Sequence, residues 1–156
     1  MELDTTPKPG LVDKKDNGAH ADMGYDTMLR SIESLRPYFS QIAVDACEGL
    51  DVDKIRRAGL DAEHSMLKAT AGVNTHKGAL FCIGLSVAVA SFLACRDGVV
   101  TEQAFRENLA ALAGKMTAAA DTHGATAIKK YRVSGALENA QRAYPELFED
   151  WLPYFN

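Results

Sequence analysis

Residues 79–95 read ALFCIGLSVAVASFLAC, 17 positions without a single charge. A membrane-spanning helix needs roughly 20 predominantly apolar residues, and this stretch is also diluted with Ala, Ser and Gly. It therefore predicts a central helix buried on all sides by other helices, with a membrane span a distant second reading. The rest of the chain must supply the cover. At 156 residues it is long enough to do so as one helical domain, residues 1–156.

The flanking patterns are helical too. Leu29, Ile32, Leu35, Phe39, Ile42 and Ala46 form a stripe over about 26–48, where Pro37 should kink the helix or split it. Asp51 is placed to cap a helix reaching about Ala69, with Ile55, Ala58, Ala62 and Met66 on one face. Asp97 and Gly98 end the apolar helix. Thr101 caps another that reaches about Asp121, with Phe105, Leu109, Leu112 and Met116 inward. After a break at His123 and Gly124, two short helices are expected over about 125–131 and 135–143, and Pro145 opens a last one reaching Trp151. Sustained period-two alternation is absent, so the fold class is all-α.

A net charge of −4 and a pI near 5.5 argue against a protein held to nucleic acid by bulk electrostatics. Cys47, Cys82 and Cys95 form no CxxC pair, and all fall in helical segments. They are expected as small core residues in a reducing compartment. The first residues, MELDTTPKPG, lack the basic and apolar regions of a signal peptide, which points to the cytoplasm.

Polar residues gather in three places. Pro7 and Pro9 hold Lys8 in an extended path ahead of Asp13, with Leu11 and Val12 as a small apolar anchor. His20 and Asp22 form an HxD pair in a glycine-flanked loop, suited to a divalent metal, to acid–base work, or simply to capping the next helix. Gly72-Val73-Asn74-Thr75-His76-Lys77-Gly78 stands directly before the apolar helix. A helix start offers free amides and the positive end of a dipole. Gly72 and Gly78 permit close backbone approach, and Lys77 adds charge. The spacing is not that of a Walker A loop, and it leaves open whether Asn74 or Thr75 merely caps the helix. Glu63 lies at the margin of its helix's apolar stripe, able to face a cleft or solvent. Lys129, Lys130 and Arg132 make a further basic group, usually just a solvated face.

Taken in order, TPKPGLVD (6–13), GAHADM (18–23), Glu63…Met66…Thr70 and GVNTHKGALF (72–81) resemble the triphosphoribosyl-dephospho-CoA synthase family. The later HG…KKY, SGALENA and YPEL…LP strings are similar to the next portion of the same family. The resemblance implies transfer of the triphosphoribosyl group of ATP to the 2′-hydroxyl of 3′-dephospho-CoA, with adenine departing. The product would be the prosthetic-group precursor for the acyl carrier protein of citrate lyase or malonate decarboxylase. Asp22, Glu63 and His76 are the candidate catalytic groups. Lys8, His20, Gly72, Asn74, Thr75, Lys77 and Gly78 are candidate ATP contacts, and Asp13, Asp22 or Glu63 would hold Mg²⁺.

The chain departs from the family pattern as well. Family chains are longer, so a helix is expected before TPKPGLVD and a helical group after YPEL; a homodimer or a completing partner chain is the corresponding expectation. Val133 and Ser134 replace an expected glycine, and Leu137 an expected arginine. The competing readings are a catalytically silent module that binds a nucleotide or a partner, and a metal-dependent hydrolase using His20, Asp22, Glu63 and His76. Apolar faces along Phe105, Leu109 and Leu112 are expected to lie uncovered.

Overall fold

The computed structural model describes residues 2–116 and 135–155. A 3₁₀ turn, Glu2–Asp4, precedes a long strap that leads into α1 (Tyr25–Glu48). There follow α2 (Val52–Ala69), α3 (Lys77–Asp97), α4 (Glu102–Gly114) and α5 (Ala136–Gln141). A wide π-helical turn, Glu146–Trp151, then runs into α6 (Leu152–Phe155). The described residues contain no strand, and the fold is all-α. The expected helix over about 125–131, the break at His123, the basic group around Lys129, and the Val133 and Ser134 departures lie outside the described residues.

Several boundaries follow from their caps. Asp51 accepts from the amides of Asp53 and Lys54 at 2.9 and 3.0 Å and starts α2. Those bonds, Lys54 first, hold its carboxyl below the ordinary carboxylate range. Thr101 Oγ1 accepts from the Ala104 amide and starts α4. Gly98, at φ 72°, closes α3 in the left-handed conformation that a side chain would resist. Pro37 does not split α1. Its ring removes one backbone donor, but it is exposed, and Leu35, Ile42 and Ala46 on either side of it remain buried. Tertiary packing on both halves outweighs the local break.

Cross-links between helices give the topology. Ser31 meets His76, and Cys47 meets Cys95, so α1 and α3 run side by side in the same direction. Arg30 reaches the Ala69 carbonyl, which places the end of α2 beside the start of α1. The start of α1, the end of α2 and the start of α3 therefore share one end of the bundle. Beneath that end lies a small apolar cluster of Leu35, Ala62, Met66 and Leu80. The larger core, farther along, joins Ile42, Ala46, Leu85, Val89 and Leu93 to Leu109, Leu112 and Ala113 of α4.

Three expectations change. First, α3 is not buried all round: Leu80, Gly84, Leu85, Ala88, Val89 and Leu93 form one buried face, while Ile83 is 48% exposed. By length and composition alone α3 is apolar enough to cross a membrane, yet here it packs against α1, α2 and α4. Second, Leu109 and Leu112 are fully covered, because α4 lays that stripe against α3 and α5. Among the exposed apolar groups are instead Trp151, Leu152, Tyr154 and Phe155, the last two more than 80% exposed. Third, Cys47 and Cys95 are exposed and joined to each other, and only Cys82 remains a partly buried free thiol. Hydrophobic periodicity placed these cysteines on helices but could not say which faces would meet.

Candidate functional site

The loop between α2 and α3 is shaped from both ends. At the end of α2 the Thr70 hydroxyl, itself buried, sits 2.9 Å from the Met66 carbonyl and 2.6 Å from that of Val73. Ala71 and Gly72 then reverse the chain at φ 54° and 89°, and the Gly72 amide donates to the Leu67 carbonyl. At the start of α3 the Asn74 side chain accepts from the Lys77 amide at 3.3 Å. That bond ties Asn74 to the first residue of α3, whose N-cap position is His76. The next two amides, Gly78 and Ala79, have no acceptor among the described residues. The space beside Gly78 where a Cβ would stand is open, so an anion can approach them directly.

Lys77 is not solvated alone. Its ammonium lies 2.5 Å from the Glu63 carboxylate, across the gap between α3 and α2. Both remain within reach of solvent, at 42% and 24% exposure. His76 is held more tightly. Its amide donates to the Met66 sulfur at 3.3 Å, and its Nδ1 lies 2.6 Å from the hydroxyl of Ser31. Thr75 donates to the same Ser31 oxygen at 2.6 Å. Ser31 is completely buried on α1. Burial of the imidazole pulls the His76 pKa below its ordinary value, and Glu2 nearby only partly offsets this.

The N-terminal strap holds the other predicted groups, and it uses them differently. Asp13 is 4% exposed and accepts four hydrogen bonds. Thr6 and the Lys8 amide donate to one oxygen, and the Lys15 and Asp16 amides to the other. The Thr6 hydroxyl and then these amides push its carboxyl far below the usual range. Lys8 folds back onto Glu2, at 2.6 Å from its carboxylate and 3.2 Å from its carbonyl, and its side chain is only 11% exposed. Asp4 is likewise engaged by Lys14 and the Tyr25 hydroxyl. The strap's apolar anchor is Leu3 with Val12; Leu11, half of the expected pair, is 54% exposed.

His20 and Asp22 face each other at 3.8 Å and stay well exposed. The described residues contain no group of three or more His, Cys, Asp and Glu placed to hold a metal. Of the three carboxylates expected to hold Mg²⁺, Asp13 accepts four donors, Glu63 is paired to Lys77, and Asp22 stands with His20.

Sequence reasoning missed Ser31 and Arg30. Ser31 reads as one polar residue on an otherwise ordinary helix, and only the convergence of α1 with α3 gives it a role. Arg30 lines an open cleft of about 820 Å³ at the start of α1, together with Lys14, Asn17, Gly24, Tyr25, Asp26 and Thr27. It also donates to the Ala69 carbonyl, so the cleft adjoins the end of α2.

Comparison with known proteins adds a family. The family model described as ATP:dephospho-CoA triphosphoribosyl transferase matches residues 1–156. A probable 2-(5''-triphosphoribosyl)-3'-dephosphocoenzyme-A synthase of Stutzerimonas stutzeri is 39% identical over 161 residues, covering 97% of this chain and 54% of the relative. Proteins of the same name from Pseudomonas syringae and Pseudomonas aeruginosa are 36% and 37% identical, with the same two coverages. The chain thus spans about half the length of the curated relatives it matches. No solved structure matches it.

Proposed function

The chain belongs to the ATP:dephospho-CoA triphosphoribosyl transferase family, and from that premise we propose that its α1–α2–α3 end seats the triphosphate of ATP for transfer of the triphosphoribosyl group. The observation that carries this reading is the Lys77–Glu63 pair standing beside the open amides of Gly78 and Ala79. Together they place a cation, a carboxylate and a helix start at one point. The triphosphate takes Lys77 and the helix start, and Glu63 is thereby released from its partner.

In the reaction, the 2′-hydroxyl oxygen of 3′-dephospho-CoA bonds to the anomeric carbon of the ATP ribose. The bond from that carbon to adenine breaks, and its electron pair leaves with the base. The hydroxyl proton passes to a carboxylate, Glu63 in first place and the exposed Asp22 in second. A carboxylate near the sugar also favours the positive charge that builds there as the glycosidic bond opens. Gly72 and Gly78 admit the nucleotide, while Asn74 and Thr75 hold the loop. His20 can contribute only from the strap side. Asp13 and Lys8, both already bonded within the strap, shape it instead of touching ATP. Mg²⁺, which ATP ordinarily carries, would be held mainly by phosphate oxygens, since the three predicted carboxylates do not converge.

The product would serve the acyl carrier protein of citrate lyase or malonate decarboxylase, in a cytoplasmic setting, with a second copy or a partner chain as companion. The second reading, a silent module that binds nucleotide without turnover, is favoured by the Glu63–Lys77 pair being already closed. The test is incubation with ATP, 3′-dephospho-CoA and Mg²⁺, followed by chromatography for free adenine. Adenine release that needs both substrates and is lost in Lys77→Ala supports transfer. ATP binding without adenine release supports the silent module, and phosphate release would point to a hydrolase.

A further inference from the structure

We infer that the cleft at the start of α1 seats 3′-dephospho-CoA, with Arg30 as the contact for its diphosphate. The inference rests on the proposed transfer reaction, which brings two phosphate-bearing nucleotides together, ATP at the start of α3 and the acceptor beside it.

The cleft is open and holds about 820 Å³, a size that admits a nucleotide. Its charged lining is Lys14, Asp26 and Arg30. Lys14 is answered by Asp4, 2.7 Å away. Arg30 meets no carboxylate among the described residues, although Asp26 stands four residues before it on the same helix. Glu102 with Arg106, and Arg142 with Glu146, have that same spacing and do pair, at 3.5 and 3.8 Å. Arg30 instead turns one edge to the protein. Its Nε donates to the Ala69 carbonyl at 3.3 Å, and its Nη2 to the Thr27 hydroxyl at 3.4 Å. Those contacts steady the guanidinium from α1 and α2 together, and Nη1 has no partner among the described residues. A planar guanidinium with its orientation held and its charge unanswered is suited to a phosphate group.

Asp26 narrows the choice of ligand. It is exposed in the same cleft and pairs with no cation among the described residues. A bare anion would be repelled by it, whereas a nucleotide brings hydroxyl and amine donors along with its phosphates. A guanidinium, a carboxylate and the Asn17 amide in one cleft therefore match a nucleoside diphosphate ester better than an inorganic phosphate. Among the two substrates of the proposed reaction, 3′-dephospho-CoA is that ester. Placement agrees with this. Arg30 precedes Ser31, whose hydroxyl lies 2.6 Å from both His76 Nδ1 and the Thr75 hydroxyl. Ala69 precedes Thr70, which shapes the turn into the α2–α3 loop. The two seats thus share a border, made of residues 30–31 on one side and 69–70 on the other.

The test is calorimetric titration of the chain with 3′-dephospho-CoA, inorganic pyrophosphate and ATP, each in the presence of Mg²⁺. Arg30→Gln should weaken 3′-dephospho-CoA about ten-fold or more and ATP by less than about two-fold; Lys77→Ala should do the reverse. Pyrophosphate should bind the unaltered chain more weakly than 3′-dephospho-CoA, and Asp26→Ala should narrow that gap. The inference is overturned if the unaltered chain fails to bind 3′-dephospho-CoA at millimolar concentration. It is equally overturned if Arg30→Gln, folded by circular dichroism, binds that ligand undiminished. An equal loss of ATP in Arg30→Gln would give the cleft to ATP, and pyrophosphate binding as tightly as 3′-dephospho-CoA would reduce it to a plain anion seat; either result sinks the assignment. Should Arg30→Gln not fold, Asp26→Ala, a change at an exposed side chain, carries the test, and an unchanged preference over pyrophosphate counts against the cleft. If Arg30→Gln loses 3′-dephospho-CoA while Lys77→Ala leaves ATP binding intact, the triphosphate reading fails and this inference stands.

Discussion

The strap and the α2–α3 loop carry similar residues and put them to opposite uses. Both are polar, glycine-bearing segments with a lysine and a carboxylate close by. In the strap, Asp13 spends its four acceptor positions on the strap's own backbone and Thr6, and Lys8 closes onto Glu2. In the α2–α3 loop, the shape is set by other means: Thr70, the left-handed Ala71 and Gly72, and the buried Ser31. The imidazole Nε2 and two helix amides are left over for something else, and Lys77, though paired with Glu63, stays 42% exposed where the Lys8 side chain is 11% exposed. A polar motif is available for chemistry only when other atoms have already built its backbone.

The sharpest way to break that contrast is to remove the two lysines. Lys77→Ala is expected to lower adenine release by on the order of 100-fold, while Lys8→Ala should change it by no more than about two-fold. Equal losses would mean that the strap is as functional as the loop. Next come the glycines. Gly18 sits at φ 58°, and a Cβ there would lie 2.4 Å from the Gly10 carbonyl carbon. Gly18→Ala should therefore cost roughly 2 kcal/mol or more in urea unfolding, as the strap is forced off its own backbone. Gly72 also has a positive φ, but open space around it, so Gly72→Ala should cost only about 1 kcal/mol. Gly78 is helical and unobstructed. Gly78→Ala should leave stability unchanged or raise it by up to about 1 kcal/mol, yet weaken ATP binding several-fold, as read by calorimetry.

The smallest effect is in pH. Unfolded His76 takes up its proton near the ordinary 6.5, and burial holds the folded value lower. Below about pH 6.5 the unfolded chain therefore binds more protons, and stability falls as the pH drops through that window, remaining flat above it. Melting curves at about pH 5.5 and 7.5 should differ, and His76→Gln should shrink the difference. Asp13 has the same sign at lower pH: its depressed carboxyl stabilises above its unfolded value of 3.8, and that contribution is lost on acidification below it.

Much of the helical frame was legible in the sequence because capping chemistry is local. Asp51, Thr101 and Gly98 each mark a boundary within a few residues of where it occurs. Pro37 leaves α1 unsplit because the cost of a lost backbone bond is local while the packing that overrides it is not. In the site, the start of α3 followed from GVNTHKG itself. The Glu63 partner of Lys77 lies 14 residues away and Ser31 lies 45 residues from His76, so neither link could be read along the chain. The bonding of the strap was hidden for a different reason. Composition shows that Asp13 is polar, but not that four donors will surround it.

The Cys47–Cys95 bond has a consequence for the site at the opposite end of the bundle. It joins positions 48 apart, and the chain between them contains all of α2, the GVNTHKG loop and nearly all of α3. That portion is a closed covalent ring. A single protease cut inside the loop would open the ring without releasing a fragment. The nicked protein would run as one species on a gel until a reductant was added, and only then as two.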